Sequence, residues 1–487
     1  MTHRPDSTHR PDSARRAHVV VVGGGISGLA AAAALSEQGA TVTVLEASPK
    51  VGGKLALGEV AGITVDVGAE AMLNRRPEAT DLARRSGLAD HLVHPATVRA
   101  SLWSRGVMHP MPPTVMGVPA DARTLAESGI ISKAGLARVA LDAVLPATSL
   151  EGRDVSIGWL VEERFGREVV DRLIEPLLGG VYAGHARELS AFAAAPQVVA
   201  LLDGDKSMLK AAAATTAGQP TAVPLFAGLV GGVGRLPAAV ASTVGVGVRT
   251  SATVRDLARR ADGGWDLVVG STHDHEILQA DAVVLATPAH ATSRLLHAIV
   301  PDAALELDRI AYASMAVITM AFRVRDFPET SGSGFLVPPV DKRAVKAATY
   351  SFAKWEWVRE AGRGADSGED LLVMRCSIGR HREEHVLQVA DEELVQAALE
   401  DLCDAIGLCV RPVDAHVQRW GGGLPQYAVD HHERVGHIRR SVAKEPGLAL
   451  CGAAYDGLGI PACIASAGLA VTQVLDGLPG EEEWTHD

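Results

Sequence analysis

The chain contains 487 residues, of which 47% are hydrophobic and 21% are charged. This composition excludes a disordered protein and predicts a large core shared by two or three domains. The formal net charge is −12, and no dense basic tract follows the amino-terminal arm. A nucleic-acid partner is therefore not expected, because binding to phosphates requires a positive surface.

Cysteine usage and hydropathy indicate the compartment. The five cysteines are sparse and odd in number, and none shows the close spacing of a zinc site or a disulfide framework, which favours a reducing cytoplasm. The longest uncharged stretch, residues 211–234, is interrupted by prolines and glycines and is expected to form interior and loops. We therefore expect a cytoplasmic protein with no metal site and at most peripheral membrane contact. The cysteines are Cys376, Cys403, Cys409, Cys451 and Cys463.

In chain order, the first structured unit is a βαβ motif. Residues 18–22 form a β-branched run typical of a buried parallel strand, and residues 26 to about 38 are expected to form a helix that ends at Gly39. Residues 41–45 form the second strand. Further along, residues 280–288, 316–322 and 448–451 indicate strands, and residues 391–406 and 461 onward indicate helices.

These elements predict a combined α/β and α+β fold. Together with the glycine turn at residues 23–28, they lead us to expect a discontinuous Rossmann-like FAD-binding domain, a mixed-sheet substrate domain and a helical domain. The predicted divisions are a disordered arm (1–17), the three parts of the FAD-binding domain (18–75, 226–300 and 441–478), the two parts of the substrate domain (76–114 and 301–440), the helical domain (115–225) and an acidic tail (479–487).

A glycine turn follows the first strand. Gly23, Gly25 and Gly28 have the G-x-G-x-x-G spacing that permits a tight turn, approach of backbone to a pyrophosphate, and close packing of helix on strand. Glu46 ends the second strand, where it can accept hydrogen bonds from ribose hydroxyls. A second glycine pair, Gly52 and Gly53, is followed by Lys54, which favours FAD over NAD.

From this point the sequence resembles the monoamine oxidase and protoporphyrinogen oxidase superfamily of flavoproteins, with VDVGAE at residues 65–70 continuing the opening pattern and Lys54 replacing the commoner arginine. Three further segments, together with Trp420 and LPQY at residues 424–427, narrow the resemblance to protoporphyrinogen and coproporphyrinogen oxidases. It is strongest to the bacterial coproporphyrinogen III oxidases. The segments are EPLLGGVYAG (175–184), GSGFLVP (332–338) and GLGIPACI (457–464).

The resemblance implies which residues contact FAD. The glycine turn would hold the pyrophosphate, Glu46 the ribose, and the backbone of Val254 the adenine, while Trp420 and the start of the last helix would flank the flavin. The expected cofactor residues are Gly23, Gly24, Gly25, Ile26, Ser27, Gly28, Glu46, Ala47, Lys54, Gly68, Ala69, Glu70, Ala71, Val254, Trp420, Leu458, Gly459 and Ile460. FAD is expected to be noncovalent, because the covalent-attachment motif of amine oxidases is missing.

The resemblance also implies a reaction and a substrate contact. Arg76, with Arg75 beside it, is expected to bind a propionate of the substrate. The implied reaction is the oxygen-dependent, six-electron oxidation of coproporphyrinogen III to coproporphyrin III in heme biosynthesis, with release of hydrogen peroxide. The product would pass to a coproporphyrin ferrochelatase. No catalytic side chain is assigned, because pyrrole protons can pass to water, and His431 and His432 are interpreted as structural.

Alternative functions remain open at this point. Within the enzymes they are protoporphyrinogen IX oxidase, an amine oxidase and a carotenoid desaturase. An amine oxidase is disfavoured by an aromatic content of only 4%. An alternative of another class is a non-catalytic, FAD-containing carrier of tetrapyrroles.

Overall fold

A computed structural model describes residues 16–217, 223–243 and 247–478. The predicted tail and all but the last two residues of the predicted arm lie outside these ranges. Within them, no helix combines the length and hydrophobicity needed to cross a bilayer. The α-helices are Ile26–Glu37, Pro77–Ala83, Ala122–Ser128, Lys133–Ala140, Ile157–Phe165, Arg167–Val169, Glu175–Tyr182, Ala191–Ala194, Pro196–Val199, Met208–Ala217, Leu236–Thr243, Ala289–Leu296, Pro301–Asp308, Ser351–Lys354, Glu356–Ala361, Asp391–Ile406, His431–Val442 and Ile460–Asp476.

A five-stranded parallel sheet forms one side of the molecule. Its first two strands and the helix between them match the predicted βαβ unit, and Val19, Val20 and Val21 in the central strand are fully buried. Helix Ile26–Glu37 packs against the last helix of the described chain, Ile460–Asp476. In spatial order the strands are Gly247–Arg249, Thr41–Leu45, His18–Val22, Ala282–Leu285 and Leu448–Leu450.

A seven-stranded mixed sheet forms the second half of the molecule. All its neighbouring pairs are antiparallel except one, in which strand Gly334–Leu336 runs parallel to Ala100–Ser104. One face carries a core shared with helix Asp391–Ile406. In spatial order the strands are Asp414–Pro425, Tyr312–Arg323, Leu371–Ile378, Val345–Thr349, Gly334–Leu336, Ala100–Ser104 and Val107–Pro110.

Smaller sheets and a helical region complete the fold. Helices between residues 122 and 217 enclose their own core, in which Leu160, Phe165 and Leu173 are buried. The smaller sheets comprise Val254–Arg259, Trp265–Gly270 and His275–Ala280; Met72–Leu73, Phe226–Leu229 and Leu92–Val93; the hairpin Leu57–Val60 and Ile63–Asp66; and Thr114–Val115 with Val118–Pro119. The predicted fold class is confirmed, whereas the domain boundaries stay a prediction.

One cysteine pair corrects the sequence analysis. Cys403 and Cys409 form a disulfide with Cα atoms 4.5 Å apart. Helix Asp391–Ile406 ends at Gly407, whose φ of 75° reverses the chain and brings Cys409 back to the helix. The interpretation that no cysteines have the spacing of a disulfide framework is therefore wrong for these two. Cys376, Cys451 and Cys463 are free and buried.

Candidate functional site

A cavity of about 1110 Å³ lies between the parallel sheet and the seven-stranded sheet. Its volume slightly exceeds the range of roughly 300–1,000 Å³ that is typical of ligand sites. All predicted cofactor residues line it except Gly24, Gly28 and Glu70. The predicted residues in the lining are Gly23, Gly25, Ile26, Ser27, Glu46, Ala47, Lys54, Gly68, Ala69, Ala71, Val254, Trp420, Leu458, Gly459 and Ile460.

The three motif glycines have different neighbours. Gly23 has a φ of 111°, and a Cβ atom there would lie 2.9 Å from the carbonyl oxygen of Ala286. A Cβ on Gly28 would lie 1.9 Å from the carbonyl oxygen of Gly23, so Gly28 permits helix and strand to touch. A Cβ on Gly25 would meet no atom within 4 Å. Gly25 therefore leaves open space at the amino end of the first helix, where a phosphate group fits.

The carboxylate of Glu46 is fixed beside this turn. The backbone N–H of Gly24 donates to Oε2 at 2.7 Å, and the backbone N–H and hydroxyl of Ser48 donate to Oε1 at 2.8 and 2.6 Å. The backbone N–H of Ala252 donates to the Glu46 carbonyl at 2.8 Å, which brings the segment containing Val254 to the same end of the cavity. These contacts fit the ribose and adenine end of a dinucleotide site.

The second glycine pair is joined to the first turn. The N–H of Gly52 donates to the carbonyl of Gly24 at 2.8 Å. Gly52 and Gly53 both have positive φ values, 123° and 56°, which favour glycine. Lys54 follows in the cavity lining, where burial lowers the pKa of its ammonium group. The pair thus places one cation against the ligand space.

Glu70 does not face the cavity but holds its wall together. Its Oε1 lies 2.5 Å from Nζ of Lys354, and its Oε2 lies 3.2 Å from Nε of Arg375. Burial alone would raise the pKa of Glu70, but Arg375 and Lys354 outweigh it and lower that pKa to about 2. Nη1 of Arg375 also donates to the carbonyls of Asp66 and Gly68 at 3.1 and 3.0 Å. Arg375 therefore fixes the segment that carries Gly68 to Ala71.

Asp66 is a buried carboxylate that the sequence analysis did not single out. Its two oxygens accept hydrogen bonds from the N–H groups of Val233 and Gly234 at 3.0 and 2.8 Å. Burial raises the pKa of Asp66 to about 7, although both of these bonds and Arg375 oppose the shift. The VDVGAE motif contains Asp66 and could have drawn attention to it. The hydrogen-bond donors to Asp66, however, lie about 170 residues further along the sequence.

The rest of the cavity wall comes from the mixed sheet and the last described helix. Trp420 lines the cavity, and its Nε1 donates to the carbonyl of Val67 at 3.1 Å. Leu458 and Gly459 lead into helix Ile460–Asp476, so the amino end of that helix meets the cavity. A helix amino terminus carries partial positive charge and favours negative charge on a bound group.

One histidine, His431, and two thiols near this wall are buried. His431 stacks on Tyr427 with ring centroids 4.0 Å apart, and its ring nitrogen Nε2 contacts the Tyr455 carbonyl at 3.3 Å. His432 is exposed. Burial raises the pKa of both the Cys451 and Cys463 thiols, so they are protonated at neutral pH. These surroundings agree with the structural role assigned to His431.

The structure places Arg75 and Arg76 outside the cavity lining. Arg75 is exposed. Arg76 is 43% exposed in its side chain and pairs with Glu78 at 2.5 Å, just before helix Pro77–Ala83. Their role toward a substrate carboxylate stays a prediction. The lining instead contains three arginines that the sequence analysis did not name, Arg255, Arg294 and Arg375.

Among the described residues, no group of three or more His, Cys, Asp and Glu side chains could hold a metal ion. The glycine turn of the parallel sheet and the mixed sheet share one cavity, an arrangement that fits a flavin-dependent oxidoreductase.

Comparison with known proteins gives the same class. The family model for flavin containing amine oxidoreductases matches residues 26–475. Coproporphyrinogen III oxidases from Mycobacterium tuberculosis and Bacillus subtilis are 36% and 30% identical and cover 95% and 94% of this chain, each over 98% of its own length. A crystal structure from Exiguobacterium sp. 255-15, described as a candidate protoporphyrinogen oxidase, has 31% identity and a TM-score of 0.83, and covers 97% of this chain and 100% of its own.

The chain therefore belongs to the flavin containing amine oxidoreductase family and, within it, to the protoporphyrinogen and coproporphyrinogen oxidases.

Proposed function

We propose that this protein oxidises coproporphyrinogen III to coproporphyrin III with noncovalent FAD and dioxygen, in the cytoplasm, as a step of heme biosynthesis. The observation that carries the proposal is the single cavity that runs from the glycine turn past Trp420 to Gly180 and Val181 of the helical region. Such a cavity can hold a dinucleotide at one end and a macrocycle at the other. Relatives that span almost the whole chain carry the same activity in their names.

The residues present fit FAD. The open space at Gly25, the fixed carboxylate of Glu46 and the amino end of helix Ile460–Asp476 provide for a pyrophosphate, a ribose and an electron-rich ring. When bound, FAD supplies a two-electron acceptor for a C–H bond of the porphyrinogen. The protein's own part is to fix the two ligands and to exclude water between them.

Residues on two sides of the cavity would fix the ligands and exclude water. Trp420, Met315 and Val317 form a largely apolar wall on the mixed sheet, while Lys54 is held in the opposite wall. No side chain is assigned as a general base, because pyrrole N–H protons can pass to water. Oxidation of the macrocycle removes six electrons and six protons, so three dioxygen molecules are reduced to three hydrogen peroxide molecules for each porphyrin formed. The product is proposed to pass to a coproporphyrin ferrochelatase.

Turnover tests this proposal directly. Purified protein is mixed with coproporphyrinogen III and with protoporphyrinogen IX under identical conditions, and porphyrin and peroxide are both measured. Faster turnover of coproporphyrinogen III, with three peroxides per porphyrin, is expected. Faster turnover of protoporphyrinogen IX would show that the alternative substrate is the true one.

Two further measurements separate the enzyme from the carrier and test the cofactor. Under anaerobic conditions, bleaching of the flavin by porphyrinogen supports an enzyme, and an unchanged spectrum supports a carrier. Acid precipitation is expected to release yellow FAD into the supernatant. Colour that remains in the pellet would contradict noncovalent binding.

A further inference from the structure

Two cations lie side by side beneath the substrate end of the cavity. Lys346 is 2% exposed and Arg380 is 5% exposed. Lysine and arginine are almost never buried this completely unless they are paired. Across residues 16–217, 223–243 and 247–478, however, no carboxylate forms an ion pair with Lys346, and Nη2 of Arg380 has no hydrogen-bond partner. Nη1 of Arg380 forms a long ion pair with Glu383 at 3.7 Å and donates to the carbonyl of Arg343 at 3.5 Å.

Lys346 lies directly behind the cavity wall. Its Nζ donates to the carbonyl of Gly379 at 2.9 Å and is 3.8 Å from the sulfur of Met315. Met315 lines the cavity. The strand Val345–Thr349 is irregular at Lys346, because the pairing register shifts between Val345 and Ala347. At this irregularity the side chain of Lys346 extends toward Met315, on the cavity side of the sheet.

The same place adjoins the helical region. Helix Glu175–Tyr182 packs on strand Val345–Thr349, and its residues Gly180 and Val181 line the cavity. The cations are therefore located at the end of the cavity remote from the glycine turn. The thioether of Met315 lies between the Lys346 ammonium and the ligand space, and methionine is flexible enough to move aside.

The charges around Lys346 favour the arrival of an anion. Burial and the neighbouring charge of Arg380 together lower the pKa of Lys346 to about 7, and Glu383 opposes this shift. Glu175 and Asp401 act on Arg380 from the two neighbouring helices, but neither is paired with Lys346. A carboxylate bound beside Lys346 would raise the pKa of its amino group. Binding would therefore be accompanied by uptake of a proton from solvent by Lys346.

We propose that Lys346, assisted by Arg380, binds a propionate carboxylate of the tetrapyrrole once Met315 turns aside, and thereby selects for tetrapyrroles with four carboxylates over those with two. This inference rests on the proposed function. A purely structural Lys346 would only fix the Gly379 carbonyl, and it would not distinguish one porphyrin from another.

Binding of oxidised porphyrins tests the inference without turnover. The probes are coproporphyrin III, with four propionates, and mesoporphyrin IX, in which ethyl groups replace two of them. Each is titrated into the FAD-loaded protein and followed by quenching of tryptophan fluorescence. The variant is Lys346→Met, and the control is Lys342→Met, an exposed lysine four residues away. Melting temperature and FAD content are measured for both variants.

We expect Lys346→Met to weaken coproporphyrin III binding by about ten- to a hundredfold, the range for a lost charge-assisted hydrogen bond. Mesoporphyrin IX binding should change less than about threefold, and Lys342→Met should change neither. Equal loss for both porphyrins, or no loss for either, would overturn the inference. Turnover of wild-type protein is measured separately, so a failure of the proposed function remains distinguishable.

A second measurement needs no variant and decides the case if Lys346→Met does not fold. Calorimetric titration of wild-type protein at pH 8, in two buffers of different ionisation enthalpy, counts the protons taken up on binding. Coproporphyrin III should take up close to one proton and mesoporphyrin IX fewer. Equal uptake with the two porphyrins, or none with either, would show that Lys346 does not meet the additional carboxylates.

Discussion

Arg375 lies 3.2 Å from Glu70, and this pair joins the mixed sheet to the segment that lines the nucleotide side of the cavity. Glu70→Ala would leave the partly buried Arg375 and Lys354 without their shared acid. Because removing one partner from a buried ion pair strands a charge, we expect a loss of about 3–5 kcal/mol in unfolding free energy, measured by urea denaturation. The control is Glu78→Ala, which breaks the more exposed pair with Arg76 and should cost less than about 1 kcal/mol. Equal costs would show that Glu70 is not structural.

Gly25 and Gly28 are expected to differ when each is changed to alanine. Gly25→Ala should fold but bind FAD about ten- to a hundredfold more weakly, because its methyl group would fill the space left for the cofactor. Gly28→Ala should lose about 3 kcal/mol or more of stability, because its methyl group would meet the Gly23 carbonyl. FAD affinity is measured by flavin fluorescence and stability by thermal melting.

The control for both glycine variants is Gly468→Ala, in the exposed face of helix Ile460–Asp476, where an added Cβ meets nothing within 4 Å. It should raise stability by about 0.5–1 kcal/mol and leave FAD binding unchanged. If Gly25→Ala binds FAD as wild type does, the space at Gly25 is not the pyrophosphate site.

Glu46 is expected to matter for FAD more than for folding. Glu46→Ala removes the acceptor for the Gly24 and Ser48 donors and the predicted ribose contact. Loss of hydrogen bonds to a charged group should weaken FAD binding by about tenfold or more. The measurement is equilibrium dialysis of FAD. Glu37→Ala, at the exposed end of the first helix, serves as the control and should bind FAD normally.

His431 should make stability depend on pH between about 4 and 6.5. Burial lowers the pKa of His431 to about 4 in the folded protein, below its usual value near 6.5 when unfolded. The unfolded chain therefore binds more protons in this interval. Stability from this group is fully present above pH 6.5 and is lost as the pH falls through 4, by on the order of 3 kcal/mol.

His431→Phe should keep the ring packed on Tyr427 and flatten this pH dependence, as measured by urea denaturation at several pH values. His432→Phe, in the exposed neighbour, should leave the dependence as in wild type. An unchanged slope for His431→Phe would mean that another group titrates in this interval.

The sequence predicted those parts of the fold whose cause is local. The strand His18–Val22, the helix after it and the helix Asp391–Ile406 were identified because each carries its whole pattern within a few adjacent residues. The glycine turn was recognised for the same reason. The disulfide between Cys403 and Cys409 was missed because it depends on a chain reversal at Gly407.

Side chains that act through distant partners could not be predicted. Arg375 contacts Gly68 across about 300 residues of sequence, and neither residue indicates the other. The position of Lys346 behind Met315 could not be predicted either, because it follows from the pairing of strands that are distant in sequence. Arg76 follows a recognisable motif, but its pairing with Glu78 outside the cavity lining was not evident from the sequence, and its contact with a substrate stays a prediction.

The order of strands in the parallel sheet has a consequence for how the protein is made. Strand Leu448–Leu450 completes that sheet beside Ala282–Leu285, and helix Ile460–Asp476 packs on the first helix of the chain. During synthesis the amino-terminal βαβ unit leaves the ribosome first. Its sheet and helix packing stay incomplete until residues more than 400 positions later have been made. Cofactor loading thus becomes a check on complete translation: chains that stop before residue 448 should stay colourless and be available to proteases.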